Sequence, residues 1–189
     1  KNAVVTVDSG YEEYLNDITL TETPFNVFAK EATDEILTTG RFVICTDWDE
    51  AMQRPYLRGY NGESLINFRY VSHYGKQILS LVVLQETAET ESDNDPFTTE
   101  YLNVYRVKVI IDGVYHDQLY GPTDKQGKNF ELLQDIVPLR NGAALDFIPI
   151  TIINTSSLSC HFEESMLNDL VDVNRMHYLS TSDLGIILH

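Results

Sequence analysis

The chain has 189 residues, of which 43% are hydrophobic, and its 29 acidic and 13 basic residues give a net charge of −16. A chain of this length buries roughly 70% of the surface that its unfolded form exposes, so a folded domain is expected and intrinsic disorder is not. The charge excludes tight binding to nucleic acid and to anionic membrane surfaces, because both need clusters of Lys and Arg that this sequence lacks.

Targeting signals and cysteines narrow the class of protein further. No run approaches the roughly 18 apolar residues of a membrane-spanning helix, and the first residues lack the basic and apolar regions of a secretory signal. Two cysteines, Cys45 and Cys160, are too few for a disulfide framework, and both are expected to be buried thiols. These features predict a soluble, intracellular protein.

The carboxyl end of the chain carries three aliphatic residues, Ile186, Ile187 and Leu188, before the final His189. Chain termini normally lie in polar, exposed segments. The pattern therefore predicts that this last element continues beyond His189 and that the chain is a piece of a longer protein.

The first strong helical pattern lies in the segment TETPFNVFAKEATDEILTTG. Its apolar residues recur with the spacing of one helical face, which predicts an N-terminal helix over about 24–38. Thr23 is the expected N-cap, Pro24 suits the first turn and Gly40 supplies the stop. The next segment, RFVICTD at 41–47, is short, β-branched and aromatic, so it predicts a strand.

Two hairpins are predicted in the middle of the chain. The segments 64–71 and 76–87 read as strands joined by a turn at Gly75. The segment YRVKVIIDGVYHDQLY alternates apolar and cationic residues up to Asp112-Gly113, a pair that suits a two-residue turn with positive φ at both positions. Between these hairpins, the acidic segment 86–100 predicts a long exposed loop.

The last third of the chain predicts a strand and a helix. Segment 144–154 is an apolar run with Pro149 inside it, which indicates a buried or bulged strand. A C-terminal helix is expected over about 166–188, with His177 on its apolar side as a core histidine. The order of elements predicts an α+β fold, mainly an antiparallel sheet with hairpins flanked by these two helices, in a single domain over 1–189.

The acidic cluster TDWDE after the first strand is the most conspicuous candidate for chemistry. Two carboxylates from one loop, Asp47 and Asp49, can hold a divalent metal that bridges a diphosphate, which would suit a metal-dependent transferase or hydrolase. Aspartates are also common in turns, and the sequence has no glycine-rich phosphate cradle. The turn is the favoured reading, and the metal-dependent enzyme is the alternative.

Other catalytic patterns are missing from the sequence. His161 with Glu163 and Glu164 could supply metal ligands, but no second cluster completes a coordination shell. There is no GxSxG motif, and neither cysteine has the local signature of a nucleophile. The sequence therefore predicts no catalytic, cofactor or metal site and a protein that is not an enzyme.

A series of segments, in order, resembles a family of tailed-phage head proteins that was long catalogued as a domain of unknown function and whose members look like portal proteins. These segments are ILTTGRFVICTDWD, RPYLRGYNGESLINFRY, LSLVVLQE, YRVKVIIDGVYHDQLY, ALDFIPITIIN and DLVDVNRMHYLSTSD. The residues that carry the resemblance, and that it marks as structural, are Gly40, Arg41, Asp47, Arg54, Pro55, Tyr56, Ile66, Asn67, Arg69, Leu145, Asp146, Phe147, Ile148, Pro149, His177, Tyr178, Ser182 and Asp183.

The resemblance implies a ring-shaped homo-oligomer at one capsid vertex, through which DNA is packaged and to which the tail connector attaches. Its partners would be further copies of itself, the capsid, the terminase and the connector, with no cofactor. The protein would reside in the virion, and in the bacterial host cytoplasm during assembly. Complete members of the family are more than twice as long, so this chain would correspond to the N-terminal, wing-like part.

The resemblance also suggests how the acidic cluster is used. Asp47 is expected to end a strand, residues 48–53 to form an exposed connection, and Arg54 to re-enter the sheet. Asn67 and Arg69 on the following strand are then the expected hydrogen-bond or ion-pair partners of the aspartates.

Overall fold

The computed structural model describes residues 5–8, 11–91, 99–123 and 129–187. The fold is α+β with antiparallel sheets, which confirms the predicted class. The helices are α1 (Glu12–Asn16), α2 (Phe25–Thr39) and α3 (Asn168–Ile187), and a 3₁₀ turn spans Gly62–Ser64. The strands are β1 (Arg41–Asp49), β2 (Arg54–Asn61), β3 (Leu65–His73), β4 (Lys76–Glu91), β5 (Thr99–Ile111), β6 (Val114–Pro122), β7 (Phe130–Ile136), β8 (Leu139–Arg140), β9 (Ala143–Ala144) and β10 (Ile150–Asn154).

The chain divides into two compact units. Unit 1 combines residues 1–62 with residues 150–189, and unit 2 consists of residues 63–149. The single domain that the chain length predicts over 1–189 stays a prediction. The two units are a finer division that the sequence pattern did not indicate.

Unit 1 is a three-stranded antiparallel sheet with α2 packed on it. The strand order is β10-β1-β2. The apolar face of α2 contributes Phe28 and Ala32, which pack with Phe42 of β1 in the core of the unit. The Phe28 and Phe42 rings meet edge to face with their centroids 5.8 Å apart, an arrangement that stabilises beyond simple burial. This packing confirms the helical periodicity predicted for 24–38.

The two ends of α2 differ in how well the sequence predicted them. Pro24, not Thr23, is the N-cap residue, and the Thr23 hydroxyl bonds instead to the Thr21 hydroxyl at 3.1 Å. The prediction of Thr23 as the cap is wrong because Pro24, with φ −66° and ψ 152°, is itself the extended residue before the helix. Gly40 ends the helix in the left-handed conformation at φ 84°, as predicted.

Unit 2 is a five-stranded antiparallel meander in the order β3-β4-β5-β6-β7. Its first hairpin turns at Tyr74-Gly75 and its second at Asp112-Gly113, and all four residues have positive φ. A turn with positive φ at both central positions matches the twist of the strands that it joins. Both predicted hairpins are therefore confirmed.

Two predicted strand ends are wrong. β1 continues past Asp47 to Asp49, because Trp48 and Asp49 pair with Pro55 and Arg54. β4 extends through Glu91, and residues 86–91 pair with 99–104 of β5, so much of the predicted acidic loop is strand. The rest of that loop, 92–98, lies outside the described residues.

The apolar run 144–154 also differs from its prediction. Only Ile150–Asn154 forms a strand, and Pro149 directly precedes it, a position that proline tolerates because no ladder bond is lost. Residues 145–149 instead connect β9 to β10, and the Leu145 carbonyl accepts a 2.8 Å hydrogen bond from the Tyr115 amide. The predicted long strand is therefore a connection followed by a short strand.

Helix α3 confirms the C-terminal helix that was predicted over 166–188, but its environment differs from the prediction. Every side chain from residue 168 to residue 184 is exposed. His177 is therefore not a core histidine in this chain. It lies beside Leu170 and Val173 on one side of the helix, as its periodicity indicated, but that side is uncovered. None of the helices in the described part of the chain has the length and apolar character needed to cross a membrane.

Replacement of Gly40 tests how tightly the end of α2 is held. A Cβ atom at Gly40 would collide with the Glu163 carbonyl oxygen in addition to occupying a positive-φ position. We expect Gly40→Ala to lower the free energy of unfolding by roughly 3 kcal/mol or more, measured by urea denaturation. Gly75→Ala is the matched control, since Gly75 has φ 78° and open space around it, and about 1–2 kcal/mol is expected. Equal losses in the two variants would contradict the close packing at Gly40.

Candidate functional site

The residues Gly40 and Arg41, which carry the family resemblance, form a joint between three backbone segments of unit 1. The Arg41 guanidinium donates to the Cys160 carbonyl at 3.1 Å and to the Gly62 carbonyl at 2.5 Å. From the other side, the Glu35 carboxylate of α2 accepts a 3.1 Å hydrogen bond from the Gly62 amide. Charged groups that bond backbone in this way fix the relative positions of the segments. The joint connects α2 and β1 to the segment that leads into α3.

Within that connecting segment, 155–165, the carboxylate of Glu163 binds three earlier residues. Glu163 accepts hydrogen bonds from the Ser157 hydroxyl at 2.6 Å, from the Ser156 hydroxyl and amide at 2.8 and 2.9 Å, and from the Thr155 hydroxyl at 3.1 Å. The hydrogen bonds from Ser157 and Ser156 lower the pKa of Glu163 to about 2. The Ser165 hydroxyl then donates to the Leu37 carbonyl near the end of α2. The segment is therefore anchored at both ends of its path to α3.

The carboxylates of the acidic cluster accept hydrogen bonds from their own hairpin. Asp47 accepts from the Trp48 amide at 2.9 Å and from the Tyr56 hydroxyl at 3.3 Å, and Asp49 accepts from the Met52 amide at 2.6 Å. These are the contacts of a turn and of a cross-strand pair. These contacts give no support to the hypothesis of a metal-dependent enzyme, which stays a prediction.

The Arg-Pro-Tyr triplet starts β2, and its two polar residues have different partners. Arg54 forms an ion pair with the Asp17 carboxylate and donates to the Asp17 carbonyl at 2.9 Å, so it fastens the segment after α1 to β2. Pro55 pairs with Trp48 in the ladder. Partial burial raises the pKa of Tyr56, while the nearby Arg58 opposes the rise and Asp47 adds to it.

Two further predicted residues, Asn67 and Arg69, lie on β3 of unit 2. The Asn67 side chain accepts a 2.9 Å hydrogen bond from the Phe68 amide, and the Arg69 carbonyl accepts one from Ser80 at 3.1 Å. The prediction that Asn67 or Arg69 binds Asp47 or Asp49 stays a prediction. Asp146 is exposed and Pro149 half-buried in the connection before β10.

The predicted residues on α3 lie on an uncovered helix. His177, Tyr178 and Asp183 are all exposed, Tyr178 at 73%. Leu167, Leu170, Val171, Val173, Asn174 and His177 line an open concavity of about 470 Å³ along one side of α3. These residues belong to α3 and to Leu167 directly before it, so the surface is a face of the helix and not an enclosed site.

An ionic network buried in unit 2 was not predicted from the sequence. Lys108 on β5, only 1% exposed, donates to the Asp117 carboxylate at 2.5 Å and to the Tyr115 hydroxyl at 3.0 Å. The other oxygen of Asp117 accepts from Arg106 at 3.1 Å, and Arg106 also binds both oxygens of Glu86. Two cations thus face two carboxylates, and the network is neutral.

Burial and the neighbouring cations shift the pKa of Asp117 in opposite directions. Burial alone would raise the pKa, but the charge of Lys108 and its hydrogen bond, followed by those of Arg106, outweigh burial and lower it. The alternation of residues along β5 showed that Arg106 and Lys108 share one face of the sheet. It could not show that this face is the buried one, because the paired carboxylates lie on other strands.

A groove in unit 1 was also not predicted from the sequence. It has a volume of about 620 Å³, and its lining includes the buried Phe28 and Phe42 and the exposed Glu31 and Asp34. Its lining comes from the segment before α2, from α2 itself and from β1 and β2. A linear sequence gives no signal for a surface assembled from such separate segments.

Within residues 5–8, 11–91, 99–123 and 129–187, no three His, Cys, Asp or Glu residues are grouped so that they could hold a metal ion. Cys45 and Cys160 are buried thiols, as predicted. No protein-family model matches the sequence, and no curated protein matches it.

The buried network can be tested by comparing a single with a double substitution. Asp117→Asn leaves Lys108 buried without its carboxylate, and we expect a loss of about 3–5 kcal/mol in the free energy of unfolding. The double variant Lys108→Met/Asp117→Leu replaces both charges by apolar side chains, and we expect it to be more stable than Asp117→Asn. Urea denaturation measures both. If the double variant is less stable than Asp117→Asn, the cost of the single substitution does not come from leaving the charge of Lys108 unpaired.

The pH dependence of stability tests the Glu163 contacts. The folded state lowers the pKa of Glu163 to about 2 from its ordinary 4.5, so its ionised form stabilises the folded chain above pH 4.5, and this contribution is lost as the pH falls towards 2. We expect the melting temperature of the wild type to fall more steeply from pH 5 to pH 2 than that of Glu163→Gln. Glu164→Gln, whose carboxylate receives none of these hydrogen bonds, should behave as the wild type. Parallel curves for all three proteins would contradict the assignment.

Proposed function

We propose that this chain is a structural subunit of a phage or prophage assembly, the wing-like part of a portal-type protein that forms a ring at the capsid vertex. The ordered series of motifs, from Gly40-Arg41 to His177-Tyr178, supports the portal-type assignment. The contacts of these residues support a structural role, since Arg41 and Arg54 bond backbone and carboxylates that join segments of unit 1.

The observation that carries the proposal is the exposure of α3. Leu170, Val171, Val173, Met176 and Leu179 are between 53% and 69% exposed on a helix of 20 residues. Isolated helices are marginal in water, and helices with apolar residues on several sides are normally buried. A helix of this kind is suited to being covered by other subunits when an assembly forms.

The joint at Gly40 and Arg41 gives this exposed helix a fixed starting point. The segment 155–165 is bonded to Arg41 through Cys160 and to the end of α2 through Ser165, only three residues before α3 begins. An assembly subunit needs its contact surfaces held at defined positions. The motif residues Gly40 and Arg41 would hold the start of α3 at a defined position.

The charge of the chain agrees with a conduit for DNA. A net charge of −16 repels phosphates, so DNA would slide past such a surface without being held. Tight binding of nucleic acid by this chain is not expected.

Substitutions on α3 test the proposal. We expect the product of the complete gene to form rings, seen by light scattering and negative-stain electron microscopy. In Leu170→Gln/Val173→Gln the assembled fraction should fall strongly, because each apolar side chain that is covered contributes about 1.5–3 kcal/mol per subunit. The circular dichroism spectrum should not change, since both residues are exposed in the chain.

The double variant Asp172→Gln/Arg175→Gln is the matched control. It lies on the same helix and leaves the net charge unchanged, and it should assemble as the wild type. A wild-type product that stays monomeric would overturn the proposed function.

A further inference from the structure

The sheet of unit 2 ends in a strand with an apolar, uncovered edge. β7 is the last strand in the order, and within the described residues it pairs only with β6. All seven residues of β7 are exposed, and four of them are large and apolar: Phe130 at 37%, Leu132 at 46%, Leu133 at 55% and Ile136 at 43%. An edge of this kind offers unpaired backbone N–H and C=O groups to another strand.

The usual protections of an edge strand are weak in β7. It contains neither Lys nor Pro, the residues that commonly block pairing. A bulge at Leu133 interrupts its ladder with β6, which limits pairing without preventing it. The exposed apolar surface continues beyond the strand through Val137 and Leu139. The edge of β7 is therefore open to a strand that complements it.

β3, at the opposite end of the same sheet, has the complementary properties. It has nine residues, its partner among the described strands is β4, and it exposes Ile66 and Val71 at 50% each. β3 carries Arg69 and His73 and no acid, whereas β7 carries Glu131 and Asp135 and no base. In a chain with a net charge of −16, two acidic edges repel each other, but the basic edge attracts the acidic one.

The strand directions determine how two copies can join through these edges. Every neighbouring pair in the five-stranded sheet is antiparallel, so β3 and β7, the first and fifth strands, run in the same direction. Rotation of a second copy about an axis along the strands brings its β3 beside β7 in parallel. This contact uses two different surfaces, and such head-to-tail contacts generate rings when the rotation closes.

The faces of the two edges also match. Residues that pair across neighbouring strands lie on the same side of a sheet. Arg69 of β3 pairs with Leu81 of β4, Leu81 pairs with Val109 of β5, and Val109 pairs with His116 of β6. Asp135 pairs with Gln118, two residues along β6 from His116. Arg69 and Asp135 therefore point to the same side of the sheet. In a sheet that continues from one copy to the next, the two charges would lie on one surface.

We propose that β7 of one copy pairs in parallel with β3 of a second copy, so that the sheets of unit 2 join into one continuous sheet around the assembly. The partner is a second copy of this chain, and its β3 edge is the site that is recognised. The pairing rests on the proposed function, because it supplies the lateral contact between ring subunits.

Charge reversal at each edge tests the pairing. In Asp135→Lys the β7 edge keeps Glu131 but loses its net negative charge and places a cation at position 135, and in Arg69→Glu both edges are acidic. Each variant alone should therefore associate at least about tenfold more weakly than the wild type. In an equimolar mixture of the two variants, every contact between unlike copies again places opposite charges at positions 69 and 135. We expect the mixture to regain wild-type association, measured as mass against concentration by light scattering on the complete gene product.

Glu31→Lys and Lys30→Glu are the matched controls, since both lie on α2, outside the sheet of unit 2, and change the net charge by the same amounts. Thermal melts confirm that each variant is folded. Reversals that leave association unchanged, or a mixture that stays dissociated, would overturn the edge pairing while the ring itself stands. A wild-type product that is monomeric at all concentrations would overturn both the pairing and the proposed function.

Discussion

The geometry of unit 1 depends on the hydrogen bonds of one guanidinium group. Arg41 follows the left-handed glycine that ends α2, and it donates to carbonyls from two distant parts of the chain, Gly62 and Cys160. A planar, permanently charged group with several donors can serve two carbonyls at once. Gly40 is needed beside it because the Glu163 backbone passes where a side chain would lie. Together these residues determine where the polypeptide leaves the sheet to begin α3.

Unit 2 is organised around a different constraint, a neutral group of charges inside the sheet. Burial of Lys108 would be costly in isolation, and Asp117 offsets that cost while Arg106 and Glu86 satisfy the remaining groups. A network of this kind contributes little net stability compared with an apolar core, but it penalises any register in which the charges separate. We infer that it helps to fix the pairing of β4, β5 and β6, whose outer neighbours β3 and β7 form the two ends of the sheet.

The sequence predicted those features that local chemistry determines. The periodicity of α2, the left-handed Gly40 and the turn at Asp112-Gly113 follow from residues that are close in the chain. The partners of Arg54 and Lys108 were not predictable, because Asp17 and Asp117 are brought to them by the folding of the chain. The exposure of α3 was missed for a related reason: an apolar helical pattern indicates that a surface is to be covered, but it does not say whether the same chain covers it.

We propose that other subunits cover the exposed apolar surfaces of this chain, above all α3, in an assembled ring. Hydrogen–deuterium exchange of the complete gene product, measured in its assembled and dissociated forms, tests this most directly. A helix without packing opens readily, so assembly should slow amide exchange in α3 by orders of magnitude while the β1-β2 hairpin of unit 1 changes little. Exchange in α3 that is equally fast in both forms would contradict the claim.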